Sequence, residues 1–375
     1  MLLVQTILVY VLLAAILAGA CHLARVKKTM LPLYFVLVIY AAVMGVRYGV
    51  GFDYFGYCNF YADIQRGFDS LNVERMEVGF VLIARTLASL KCDTPVFLGV
   101  VALLQLLWVI LAFKNEKRIL QCILLVFILG GTVLQYANGL RQILAVGLWI
   151  LAVRYAVERK VVQYYALVLI AFTMHKSAML LFVMYPLLAA RKEWVSNVKV
   201  QLVALVLALV LMRVNVVQMA LSQMDALISF LGYSAYIDAK SKLIDQEVEF
   251  GMGFMCMLLT NVVVILHSNR MKKYFASWYI TRLYDLYFIG LIVGYTFINS
   301  QLIGRVNYYF SYMDYLIIGA TMCYGYYKDR KLYWTLIALT MIKFIGNMTK
   351  ADVNTAMYVF NWQKEYFHYK TYLPF

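Results

Sequence analysis

The segment from Leu2 to Ala20 contains no charged side chain and is apolar almost throughout. A helix needs a run of about this length to span roughly 30 Å of hydrocarbon. Comparable stretches recur at 30–46, 95–113, 119–136, 143–157, 161–174, 178–189, 198–217, 251–267, 286–303, 309–327 and 332–346. Together they predict an all-α, polytopic integral membrane protein with about 12 transmembrane helices. Composition agrees. Hydrophobic residues make up 64% and charged residues 14%, against about 45–50% and about 25% in soluble domains. That balance excludes a soluble globular enzyme and a disordered chain. No basic segment precedes the first run, and Ala18-Gly19-Ala20-Cys21 only faintly resembles a lipoprotein cleavage box, so the run reads as a retained span.

The formal net charge of +15 does not indicate nucleic acid, because the basic residues sit in short clusters between apolar runs. The clusters are Arg25/Lys27/Lys28, Lys114/Lys117/Arg118, Arg154/Arg159/Lys160, Arg191/Lys192/Lys199, Arg270/Lys272/Lys273/Arg282 and Lys328/Arg330/Lys331. Placing all six in the cytoplasm puts the N-terminus outside. The segment 78–113 must then cross once. Val78 to Leu90 is short and carries Arg85, so it is expected as an interfacial or re-entrant helix on the outer side. If it spans instead, the orientation upstream of Lys114 inverts.

Two outer loops collect acidic residues. One, 47–77, holds Asp53, Asp63, Asp69, Glu74 and Glu77; the other, 218–250, holds Asp225, Asp238, Asp245, Glu247 and Glu249. The second opens with apolar residues at helical spacing, which predicts a helix on the membrane surface. Residues 1–346 read as one transmembrane domain and 347–375 as an aromatic, basic tail. Six scattered cysteines and four scattered histidines imply neither a disulfide framework nor a metal centre. Gly49, Gly51 and Gly56 have the wrong spacing for a phosphate loop, so no nucleotide cofactor is expected.

Four short constellations could carry chemistry. Arg47-Tyr48-Gly49-Val50-Gly51-Phe52-Asp53-Tyr54 leaves the second span. Desolvation between aromatics would suit Asp53 to a base role, and Tyr54 to a sugar face; an Arg/Tyr interface belt is the simpler alternative. Asn138-Gly139-Leu140-Arg141-Gln142 opens the helix at 143–157, with Asn138 as the expected N-cap. Arg141 in that first turn opposes the helix dipole, which suggests an anion clamp; ordinary snorkelling competes. Met174-His175-Lys176-Ser177 places the one histidine of the helical core at an outer boundary, as base, anion ligand or hinge. Gly304-Arg305-Val306-Asn307-Tyr308-Tyr309 brings a third arginine to an outer boundary beside tyrosines.

These motifs, with Glu77-Val78-Gly79-Phe80 and the continuation Ile143-Leu144-Ala145, resemble the EpsG family of Wzy-type polysaccharide polymerases. They stand in the family's order over most of the chain. The resemblance implies a multi-pass enzyme of the bacterial plasma membrane that needs no cofactor or metal. Its donor and acceptor would be undecaprenyl pyrophosphate-linked oligosaccharides, and membrane lipids and a chain-length regulator its other partners. Arg47, Arg141, Arg305, Tyr54, Asn138 and Gln142 would then bind pyrophosphate and sugar. Asp53 or His175 would accept the acceptor's proton, with Arg141 stabilising the leaving group. A ligase using the same donor, a lipid-linked oligosaccharide flippase and a membrane acyltransferase are the competing readings. Ionisable residues crowd the span boundaries, with Arg213, Asp314 and Lys343 as internal exceptions, which disfavours a flippase path.

Overall fold

The computed structural model describes residues 2–68, 71–213, 251–298, 300–349 and 355–366, and these are helical apart from connections and one two-stranded sheet. The chain forms two compact units. The first comprises 1–155, 161–183 and 340–375; the second comprises 156–160 and 184–339. The second acidic loop lies outside the described residues.

In the first unit, α1 (Leu2–Val26), α2 (Leu31–Gly45), α6 (Thr94–Ala112) and α7 (Lys117–Leu129) pack as a group, α1 against α2 and α7, and α2 against α6. At one end, Lys117 Nζ donates to the carbonyl of Ala24 at 3.1 Å, a cation on the closing turn of α1. Arg154 lies at the same level. It donates to the Ala112 carbonyl at 2.7 Å and pairs with Glu116. At the other end, β1 (Arg47–Tyr48) pairs antiparallel with β2 (Val359–Phe360). Gln5 near the start of α1 donates to the carbonyl of Tyr358 at 3.0 Å, and Asn361 N–H to Val46 at 2.8 Å. The described part of the tail is therefore built into this unit. The expected boundary at 346 falls inside the helix Arg330–Thr349.

Between α2 and α6 lie α3 (Tyr54–Gln65), α4 (Leu71–Glu74) and α5 (Val78–Ser89). An aromatic core joins α3, α5 and α6. Tyr61 stacks on Phe97 at 4.4 Å and Phe60 on Phe80 at 5.4 Å, with Leu140 and Leu144 beneath. After α5, Cys92 accepts from Tyr61 and Gln65, and Pro95 lies against Gly45 at the end of α2. Both ends of α5 thus sit at the β1 end of the unit. At 12 residues, α5 is also shorter than the helices able to cross a bilayer.

Among the described residues, four helices are long and apolar enough to cross a bilayer: α1, α6, Leu140–Val157 (α9) and Met252–Phe275. A fifth crossing results if α7 and Thr132–Asn138 (α8) form one bent span. The described residues thus hold four or five such spans, not the expected 12. Residues 119–136 bend by 69° between α7 and α8, where Gly131 takes φ +82° against Asn347. Residues 178–189 are divided between a 3-10 helix, Lys176–Val183, and a short helix, Tyr185–Ala189, whose second residue is Pro186. The stretch 286–303 is divided between Trp278–Thr296 and Gln301–Ser311. Helices such as α2, with 15 residues, reach only about 22 Å.

In the second unit, the helix Trp278–Thr296 packs against Val198–Leu211, Met252–Phe275, Gln301–Ser311 and Asp314–Lys328. Two members of its basic cluster are not loop cations. Arg282 is fully buried, paired with Asp285 at 2.5 Å and donating to Leu188, Ala190 and Lys192 carbonyls between Trp194 and Trp278. Lys272 is buried against Glu193 and lies over the Tyr284 ring at 4.7 Å.

Candidate active site

The loop after β1 turns at Gly51, which adopts φ +100°. A Cβ there would stand 3.1 Å from the carbonyl oxygen of Ala137. The loop therefore lies directly on the junction of α8 and α9, and the Asp53 backbone N–H donates to Asn138 Oδ1 at 2.9 Å. Asn138 is the last residue of α8 and not the N-cap of α9. The Gly139 carbonyl accepts the first bond of α9, from Ile143 at 2.9 Å.

Arg47 is 1% exposed. It donates to the carbonyls of Met44 and Ala137, the latter at 3.1 Å, and lies 5.8 Å from the Tyr54 ring centre. Arg47 is thus buried, and backbone acceptors hold it. Tyr54 is also buried, packed edge-on against Tyr48 and Phe55, so its faces are not open to a sugar. Gln142 is buried in α9. Asp53 is exposed and not enclosed between its aromatic neighbours, and Phe52 is 75% exposed.

Arg141, the second residue of α9, forms an ion pair with Glu77, the residue just before α5. The other Glu77 oxygen accepts the Lys176 backbone N–H at 3.2 Å. The approach of α5 to α10 (Val161–Met174) depends on Gly79, where a Cβ would meet Thr173 Oγ1 at 2.4 Å. Tyr57 of α3 lies close enough to the Arg141 side chain for the two to interact electrostatically. Burial holds the Tyr57 phenol above its ordinary range, with Arg141 pulling the other way, so it remains a neutral hydroxyl. In the turn after α10, His175 Nδ1 lies 2.6 Å from Ser177 Oγ and accepts the Ser177 N–H at 3.3 Å. The neutral imidazole then carries its proton on Nε2.

Segments 47–54, 77–80, 138–142 and 174–178 thus meet at one end of the first unit. A model of the EpsG family matches residues 30–369. The chain belongs to the EpsG family. That is a family of Wzy-type polysaccharide polymerases. Comparison with curated proteins and with solved structures produced no match.

In this EpsG chain the fourth motif lies in the second unit. Arg305 is exposed on Gln301–Ser311, whose inner face is anchored by buried Asn307 and Tyr309; Asn307 donates to the Gly290 carbonyl at 2.9 Å. Among the described residues no group of three or more His, Cys, Asp or Glu could hold a metal ion. Two participants were not singled out as site residues from the sequence. Glu77 is read from the sequence only as a loop acid and motif start, and Tyr57 lies outside the motifs. Gly79, two residues after Glu77, was the available sign that a backbone would approach there.

Proposed function

We propose that this EpsG protein transfers a glycan from one undecaprenyl pyrophosphate to the non-reducing end of a second lipid-linked unit, at the outer face of the bacterial plasma membrane. The bond between the sugar C1 and the pyrophosphate oxygen breaks. A glycosidic bond to the acceptor hydroxyl forms, and that hydroxyl's proton passes to a base on the protein. Undecaprenyl pyrophosphate leaves with the electron pair.

The observation that supports this reading is Arg141. It is 24% exposed at the N-terminal turn of α9, held by Glu77, with Tyr57 close by and His175 in the adjoining turn. A helix N-terminus with a planar guanidinium suits a diphosphate leaving group. In this proposal Arg47 holds the loop that carries Asp53. The tie of His175 Nδ1 to Ser177 favours Asp53 as the proton acceptor. His175 Nε2–H then donates toward a phosphate oxygen.

The test is Arg141→Lys, assayed for polymer in cells and for protein in membranes. Lysine keeps the charge but loses the bidentate fork. Polymer is expected to be largely lost at normal protein level. Full-length polymer from this variant would remove Arg141 from the mechanism.

A further inference from the structure

Glu77 occupies the N-cap position of α5, yet its side chain accepts no hydrogen bond from that helix. Its carboxylate is 8% exposed and reaches two distant segments instead. One oxygen pairs with Arg141 and the other accepts from Lys176 N–H, 64 and 99 residues away in sequence. A buried carboxylate is retained only where such partners compensate its desolvation. The α5 helix gains no cap from it, so the two partners are what it serves.

We propose that Glu77 is a positioning residue, which sets the Arg141 guanidinium and the 175–177 turn in one fixed geometry for the departing pyrophosphate. This rests on the reading of Arg141 as the pyrophosphate ligand. Glu77 itself touches no substrate. Its negative charge also partly neutralises Arg141, which restrains ground-state binding of the diphosphate. Interactions that strengthen only as charge develops raise turnover, whereas uniform binding does not.

The charge-removing, shape-conserving variant Glu77→Gln separates this from a role in stability. With purified full-length protein and lipid-linked oligosaccharide, kcat should fall by about 10²-fold, the scale of a misplaced catalytic group. KM should be unchanged or lower, and inorganic pyrophosphate should inhibit as well as or better than in the parent. In an Arg141→Lys background, Glu77→Gln should remove less than about a further twofold, because both changes act through one guanidinium. Thermal unfolding in detergent reports folding. If Glu77→Gln does not fold, Glu77→Asp, which keeps the charge but shortens the reach, should show the same split between kcat and KM. A kcat equal to the parent's, or independent losses in the double variant, overturns the proposal. If Arg141→Lys is inactive while Glu77→Gln is normal, only the role of Glu77 fails. If Arg141→Lys is itself fully active, the reading of the site fails with it.

Discussion

His175 and Asp53 face different constraints as proton acceptors. The lone pair of His175 Nδ1 is engaged by the Ser177 N–H and hydroxyl. Asp53 is exposed, and its link to Asn138 runs through its backbone N–H, so an amide at position 53 leaves that link intact. Asp53→Asn is expected to slow polymerisation by about 10²–10⁴-fold with donor binding retained. His175→Gln keeps a donor and should cost less. Steady-state rates with donor titration check both, and the reverse order would make His175 the base. At this scale the sequence was legible for the existence of Arg141 and His175 at a shared end. It was not legible for Arg47 or Tyr54. Both carry residue types of an interface belt, and only the strand pairing of Arg47 with Phe360 and the ring contacts of Tyr54 show that they point inward.

The elements of the site are held by close backbone approach more than by cations. Gly79 lets α5 lie on α10, and this brings Glu77 to the Lys176 N–H. A Cβ at 79 would meet Thr173 Cβ at 2.9 Å, and a β-branched residue in a helix has little rotamer freedom to give way. Gly79→Ala should therefore destabilise the protein by about 1–3 kcal/mol, the usual cost of overpacking. It should also reduce polymerisation beyond its effect on protein level. Val78→Ala, next to it and 71% exposed, is the control and should be near neutral. Thermal midpoints and polymer yield distinguish them; equal behaviour of the two variants would mean that the α5–α10 contact does not position the site. Hydropathy revealed most of these helices but not their breaks. The bend at Gly130-Gly131 depends on contacts such as Asn347 against Gly131, which apolarity does not encode.

Across the first unit, the opposed ends carry different chemistry. Lys117, Arg154 and Glu116 gather at one end, whereas 47–54, 77, 138–141, 175–177 and 358–363 gather at the other. Under the proposed function, the positive-inside tendency assigns the first end to the cytoplasm and the motif end to the outside, where a lipid-linked glycan would be joined. Arg282 and Lys272 carry little weight in that argument, since each is buried against an acid. The contacts at both ends of α5 make a specific expectation, because the turn after it should share the motif side although an apolar helix precedes it. In a background lacking the six native cysteines, Ser89→Cys and Asn115→Cys place exposed thiols at the two ends. A membrane-impermeant maleimide added to intact spheroplasts should label position 89 and not 115, with 115 reacting only after permeabilisation. Labelling of both from the same side would mean that α6, the helix between them, does not cross the membrane and that the two ends of the first unit are not opposite membrane faces. Labelling of 115 alone in intact spheroplasts would invert the protein, put Arg141 and Glu77 in the cytoplasm, and rule out polymerisation at the outer face by this site.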